Sequence, residues 1–234
     1  MTELQVNRQS IFAASVEQAI ITRRSVRGFL PQAVSREDVE HLLTVASRAP
    51  SGSDIQPWRV HVLMGSSLAS FKNDLLRAFD AGQPESPESD YYPEVWRSPY
   101  LERRRRVGSA LYELAGAKKA DRQAAARQRA RNYTFFDAPV GVIFCFDRDL
   151  GRGSWLDFGI FPQNIMIYAR GHGLDTCPQA SLADYPHIVR ARLSISHSQL
   201  VICGMALGYA DPTEPANQLV TEREELPVFT VFHA

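Results

Sequence analysis

Two apolar runs constrain this chain most. Ala138–Phe146 is continuous, and a second run from Gln199 to Tyr209 is interrupted by Gly204 and Gly208. Runs this short, rich in Val, Ile and Phe, read as buried strands. Between them, Trp155–Arg170 is a largely apolar helix whose end is marked by Gly171 and Gly173.

Upstream, Ser15-Val16-Glu17-Gln18 has the pattern of a capping box and opens a helix through about Thr22. Ser35-Arg36-Glu37-Asp38 opens another. Val39, Leu42, Leu43, Ala46 and Ala49 follow at helical spacing, and Pro50 stops it. Trp58–Met64 alternates as a strand does, and Leu68, Phe71, Leu75, Leu76 and Phe79 mark a third helix. From Ala81 to Pro99 the chain changes character, with five Gly and Pro residues among acids and Tyr91-Tyr92, the signature of a loop or mobile insertion. The Ala-rich basic stretch that follows, to Arg131, is helical by propensity. Tyr185–Leu193 reads as a short helix and Pro227–His233 as a terminal strand. No internal repeat is visible. The apolar elements flanking the proline-rich stretch are too few for two cores, so residues 1–234 read as one domain with a helical and loop insertion at about 81–136.

The formal net charge of zero argues against a general nucleic-acid binder. The charge is uneven: Arg97–Arg131 holds eleven Lys and Arg against three Asp and Glu. Cys145, Cys177 and Cys203 are far apart and form no CxxC pair, which reads as reduced thiols in the cytoplasm without a disulfide framework or a metal site. Met1–Ser15 shows no secretory signal pattern, and no apolar run approaches the length of a membrane span.

Two short stretches carry the chemistry. Arg23-Arg24-Ser25-Val26-Arg27 gathers three guanidiniums and a hydroxyl. Alone it is a basic helix end, but arginine forks also grip phosphate and carbonyl oxygens bidentately. Pro50-Ser51-Gly52-Ser53-Asp54-Ile55-Gln56-Pro57-Trp58 follows about twenty-five residues later, a loop rich in backbone donors and closed by a proline and an aromatic. A third segment, Gly173-Leu174-Asp175-Thr176-Cys177-Pro178-Gln179-Ala180-Ser181, reads by itself as a helix exit into a strand and turn. A fourth, Asn217 to Arg223, would be an unremarkable surface stretch. Cys177 is a weak nucleophile candidate, with no histidine near it in sequence. No GxGxxG, Walker A, HExxH or GxSxG motif occurs, so a nicotinamide cofactor would not sit in a Rossmann crevice.

Together and in this order, these segments resemble the FMN-dependent nitroreductase family, from about Val16 to the C-terminus. The resemblance implies an α+β nitroreductase fold: a mostly antiparallel central sheet flanked by helices, in an intertwined homodimer whose C-terminal strand crosses to the partner. It implies that Arg23 and Ser25, beside Arg24, hold the FMN phosphate and ribityl chain, and that Arg27 reaches the pyrimidine edge. There its charge stabilises the negative charge of reduced flavin. Pro50, Ser51, Gly52, Ser53, Asp54 and Gln56 would reach the FMN of the partner subunit. Asp54 stands where the family usually has Asn, exchanging a donor for an acceptor. The segment that holds Pro178, Gln179, Ala180 and Ser181 would approach flavin N5 with its main-chain N–H groups, the small Ala180 and Ser181 letting the backbone come close. Arg223 would close the phosphate site, with Thr221 where the family often has a second basic residue.

The tetra-arginine run Arg103–Arg106 reads alone as a solvated helix face. With Tyr100, Arg104, Tyr112, Tyr133 and Phe136 it resembles the insertion of the nitrobenzoate-reductase-like branch, which helps form a substrate channel. The implied activity is ping-pong hydride transfer from NADPH or NADH to a small electron-poor aromatic, a nitroarene first, with no covalent side chain and no metal. Reductive dehalogenation and flavin fragmentation use similar motifs, and a flavin-storing or sensing module would show the same cofactor residues. Neither a nucleic-acid nor a membrane partner is implied.

Overall fold

The computed structural model describes residues 15–116 and 121–233. The reading of Met1–Ser15 for a secretory signal lies outside them, save for Ser15. Ser15 caps α1 (Val16–Thr22) by accepting from Gln18 N–H, and Ser35 caps α2 (Arg36–Ala46) by accepting from Asp38 N–H. Then come β1 (Arg59–Met64), α3 (Gly65–Asp80), α4 (Tyr100–Leu114) and α5 (Arg122–Ala130). The C-terminal half holds β2 (Val140–Asp147), α6 (Arg152–Gly171), β3 (Asp175–Gln179), α7 (Pro186–Leu193), β4 (Gln199–Gly208) and α8 (Leu226–Phe229).

The four strands form one antiparallel sheet in the order β1-β2-β4-β3, with His61 opposite Ile143, Val142 opposite Met205 and Cys177 opposite Ala206. Successive side chains of β2 point to opposite faces. Val142, Phe144 and Phe146 pack with Leu42 and Ala46 of α2 and Phe158, Phe161 and Ile165 of α6. Ile143 and Cys145 pack on the other face with Phe71 and Leu75 of α3 and Val189 of α7. Helices on both faces explain why β2 is apolar from Val140 to Phe146 although its neighbours are antiparallel. Gly204 in β4 is a close-approach site: a Cβ there would lie 2.3 Å from Leu182 Cδ1 and 2.8 Å from the Val142 carbonyl oxygen.

Two expectations change. Pro227–His233 is not a strand: Leu226–Phe229 is a helical turn with Pro227 at its start, and residues 230–233 enter no ladder. A strand needs a hydrogen-bonding neighbour, and this segment meets none among the described residues. Second, the stretch 81–99 lacks regular structure but is tied down. The Ser86 N–H donates to the Asp184 carbonyl, and Glu85 pairs with Arg129. Glu88 pairs with Arg148 at 2.7 Å and with the buried Arg190 at 2.5 Å. Burial alone would raise the Glu88 carboxyl, but bonds from Arg190, Arg148 and the Val201 N–H hold it below its ordinary range.

Candidate functional site

The arginine segment begins where α1 ends. Arg23 leaves the helix at φ −59°, ψ 135°, and the chain then runs beside β3. Ser25 forms a parallel bridge with Thr176, and the Val26 N–H donates to the Thr176 carbonyl at 3.0 Å. Val26 points into the core, and Phe29 docks where β4 ends, bridging Ala210. Asn217, which sequence reasoning assigned no role, fastens the far side. Its Oδ1 accepts from the Arg27 N–H at 2.6 Å, and its Nδ2 donates to the carbonyls of Gly28 (2.8 Å) and Asp211 (2.9 Å). The C-terminal segment fits closely here, since a Cβ on Gly28 would lie 2.4 Å from Glu214 Cγ. Backbone and side chain thus bring the first, third and fourth sequence segments together.

Their electrostatics are unbalanced. Burial, and then the charge of Arg223, pull the half-buried Arg23 guanidinium below its ordinary value. Among the described residues, none of Arg23, Arg27 and Arg223 forms an ion pair with a carboxylate. Arg27 Nη1 donates to the Ser25 carbonyl at 3.1 Å, and Arg223 Nη1 donates to Thr221 Oγ1 at 2.7 Å. Thr221 therefore orients Arg223 instead of adding a second charge. Arg24 acts with Arg170 on Asp175, whose carboxyl burial nevertheless keeps above its ordinary range.

Alongside this cationic group, Thr176 Oγ1, Gln179 Oε1 and Ser181 Oγ are buried without a hydrogen-bond partner. Native proteins rarely leave such atoms unmatched. Gln179 Nε2 is committed to the Asn132 carbonyl at 2.8 Å, which leaves its oxygen as the free end of the amide. Uncompensated guanidiniums beside unmatched polar atoms suit a ligand that carries an anionic group and a polar ring or chain. Cys177 lies within this group as an inert thiol: burial pushes it up to about 11 against the pull of Arg27 and Arg23. No cluster of three or more metal-ligating side chains occurs among the described residues.

The Pro50–Trp58 loop is elsewhere. Trp58 stacks on Phe161 of α6 (centroids 4.8 Å apart, planes at 6°), and the Gly52 N–H donates to Asp157 Oδ2 at 3.0 Å. The tip holds three non-glycine residues in the left-handed region, Ser53 (φ 51°), Asp54 (φ 57°) and Gln56 (φ 48°). Ser51 Oγ accepts from the Gln56 N–H, and Asp54 Oδ1 accepts from Gln56 Nε2 at 2.8 Å. Gly52, Ser53, Asp54 and Gln56 are exposed. Arg23 lies against Met166, and Thr22 accepts from Arg170, nearer the other end of the same helix. At 1.5 Å per residue, about 14–20 Å of α6 separates the loop's anchor, Asp157, from those contacts. The two motifs are close in sequence but contact different stretches of α6 within one chain.

The expected channel residues divide. Tyr100 is exposed, with the guanidiniums of Arg97 and Arg103 over its ring at 5.4 and 5.7 Å. Arg104 lies over Trp96 at 4.4 Å and over Tyr92 at 5.6 Å, and Tyr112 is half-buried. Trp96 was missed, since an aromatic in a proline-rich loop carries no local signal. Tyr133 and Phe136 are corrected: each is 1% exposed and belongs to the core. A left-handed turn at Phe135, Phe136 and Asp137 (φ 54°, 51° and 69°) folds these aromatics inward. Tyr133 packs on Phe79 and Tyr185 and donates to Asp184 Oδ2 at 2.9 Å. Burial pushes the Asp184 carboxyl up to about 6.

Comparison with known proteins gives consistent results. A family model described as the nitroreductase family matches residues 20–209. The chain is 40% identical over 219 residues to a chloronitrobenzene nitroreductase of Comamonas testosteroni, covering 93% of this chain and 96% of that one. It is 38% identical over 216 residues to a 4-nitrobenzoate reductase of Pseudomonas putida, covering 92% and 94%. Among solved structures it superposes on the FMN- and NADPH-dependent nitroreductase NfnB of Sphigopyxis sp. strain HMH with a TM-score of 0.90 at 33% identity, over 94% of this chain and 99% of that one. The FMN-dependent NfnB of Mycobacterium smegmatis, solved in complex with NADPH, gives 0.89 at 29% identity over 93% and 97%.

Proposed function

The chain belongs to the nitroreductase family, and from that membership we propose that it is an FMN-dependent NAD(P)H oxidoreductase that reduces nitroaromatic compounds as a cytoplasmic homodimer. The observation that carries this reading is the meeting of unpaired Arg23, Arg27 and Arg223 with the unmatched oxygens of Thr176, Gln179 and Ser181. When bound, FMN supplies two-electron hydride transfer between the nicotinamide and the nitro compound.

The protein's own contribution is placement and charge. Arg23, Ser25 and Arg223 hold the phosphate end, with Arg24 backing them through Asp175. Arg27, fixed at its N–H by Asn217, sets a cation at the pyrimidine edge. Gln179 and Ser181 offer polar atoms beside the ring, while Pro178 and Ala180 shape that strand and turn. Cys177 stays protonated and takes no covalent part. The aromatic and guanidinium surface of Tyr100, Arg104 and Tyr112 borders the entrance and favours anionic, electron-poor rings.

The dimer reading rests on α6. Because about 14–20 Å of this helix separates the arginine segment from the Pro50–Gln56 loop, a second chain brings Ser51, Gly52, Ser53, Asp54 and Gln56 to the first chain's cofactor. The exposed apolar tail, with Phe229 69% and Phe232 82% accessible, and the exposed Ile20 and Ile21 of α1 provide surface for that contact. Among the described residues no helix is long and apolar enough to cross a membrane.

Purified protein reconstituted with FMN and desalted is expected to stay yellow. Its flavin should bleach anaerobically with NADPH or NADH and recover its absorbance when a nitrobenzoate is added. A bound flavin that neither nucleotide bleaches would make the protein a flavin sensor. No retained flavin would remove the reading altogether.

A further inference from the structure

The basic helix α4 does not merely face solvent. Arg103 Nε donates to Glu224 Oε1 at 2.8 Å, and Arg106 pairs with Glu222. Arg103 and Arg106, three apart, share one face of α4. Their partners are the two carboxylates that flank Arg223. Arg223, between those carboxylates, bonds its own segment instead: its Nη1 donates to Thr221 Oγ1 and, at 2.9 Å, to the Glu222 carbonyl. Its Nε and Nη2 carry no hydrogen bond among the described residues. α4 also packs against the Pro215–Gln218 turn, whose Asn217 fastens the arginine segment at Arg27 and Gly28.

We propose that Arg103 and Arg106 are positioning residues for the anion-binding end of the site. They clamp Glu224 and Glu222 so that Arg223 is presented to the anion with its neighbouring negative charges neutralised. The proposal rests on the reading of Arg223 as a phosphate ligand. Two physical effects act together. Without α4, two carboxylates would lie beside Arg223 and repel a phosphate at short range, where salt screens incompletely. The clamps also restrict a segment that has no helix or strand of its own to hold it. Each pair is partly exposed and weak alone. Acting on both neighbours of one residue, they limit what that residue can do. The arrangement links the insertion that borders the entrance to the cofactor's phosphate, so the positive charge of α4 serves cofactor retention as well as substrate attraction.

The test compares FMN with riboflavin, which lacks the phosphate. Dissociation constants are measured by fluorescence titration of the full-length protein. R103E/R106E is expected to weaken FMN about tenfold while leaving riboflavin within about twofold. The neutral pair R103Q/R106Q should give about threefold on FMN alone and guards against misfolding of the reversed variant. Adding E222R/E224R to R103E/R106E should restore most of the preference for FMN. R223A should lose that preference, and in its background R103E/R106E should have little further effect. If R223A loses the preference but R103E/R106E and R103Q/R106Q keep it, the clamp is wrong and Arg223's role stands. If the α4 variants weaken both flavins equally, their role is general folding and the proposal falls. If R223A itself keeps the preference, Arg223 leaves the phosphate site and the clamp goes with it.

Discussion

The arginine segment and the Pro50–Trp58 loop make an instructive contrast. Both are short polar motifs at helix ends, and both touch α6. The first is knitted into its own chain by a bridge to β3, two bonds with Asn217 at Arg27 and the adjoining Gly28, and a core residue, Val26. The second is anchored to α6 by Trp58 and through Asp157, and its tip spends three residues in the left-handed region while exposed. Left-handed backbone in non-glycine residues costs of order 1–3 kcal/mol each and persists where the surroundings demand it. Among the described residues, this tip is held by bonds within the loop, Ser51 to Gln56 and Gln56 to Asp54, and by Gly52 on Asp157. A neighbour that uses the loop would add to that hold.

Substitutions sharpen the contrast. The largest effect on stability is expected at Asn217. Asn217→Ala removes three hydrogen bonds and leaves the Arg27 N–H unmatched, while the Gly28 and Asp211 carbonyls keep the bonds they accept from the Asp211 and Glu214 N–H groups, a loss of about 3 kcal/mol. Urea unfolding of the flavin-free protein reads it, and a change below about 1 kcal/mol would show that the segment is held by other contacts. Arg23→Ala comes next, weakening FMN by about 1.5–3 kcal/mol through loss of a charge-assisted contact. Its flavin-free stability should hold or rise, because the half-buried guanidinium is repelled by Arg223. Equal FMN affinity in wild type and variant would exclude Arg23 from the phosphate grip.

A smaller effect concerns pH. The Asp184 carboxyl is raised to about 6 by burial, so the folded state binds its proton more tightly than the unfolded chain does. This group's contribution is therefore present at low pH and is lost as pH rises through the interval that ends near 6. Asp184→Asn should flatten that part of the stability curve and leave the Tyr133 hydroxyl an amide oxygen to donate to. An unchanged slope would mean that Asp184 titrates as a solvent-exposed acid. Asp54→Asn should be the mildest, within about 0.5 kcal/mol in stability, since an amide oxygen still accepts from Gln56. On the proposed shared site its further effect falls on the neighbour's cofactor, where removing a negative charge should raise the flavin midpoint potential. Equal potentials would leave Asp54 as loop structure only.

Much of this fold was legible because its signals are local. Ser15 and Ser35 cap the helices their spacing announces, and Val142 to Phe146 is as buried as its composition suggests. What failed depended on distant partners. Tyr133 and Phe136 belong to an insertion whose aromatics line a channel in the family it resembles, yet a left-handed turn drives them into the core. Pro227–His233 has a strand's composition, but composition cannot supply a ladder, and Pro227 begins a helical turn instead. Asn217 gave no signal, because its importance lies in bonding to residues some 190 positions away. The arginine run was readable as charge but not as clamp, since Glu222 and Glu224 lie over a hundred residues downstream.

The central claim is that the two motifs meet across two chains, and mixing damaged chains tests it most directly. One variant carries Arg23→Ala with Arg27→Ala. The other carries Ser51→Ala, Asp54→Ala and Gln56→Ala. Each alone should hold little FMN. Unfolded together, refolded and separated by affinity tags, the mixed dimers should contain one intact site and one doubly damaged site, and so recover about half of the wild-type flavin. Mixed dimers with no more FMN than either parent would mean that each site is built within a single chain, and the shared-site account would be wrong.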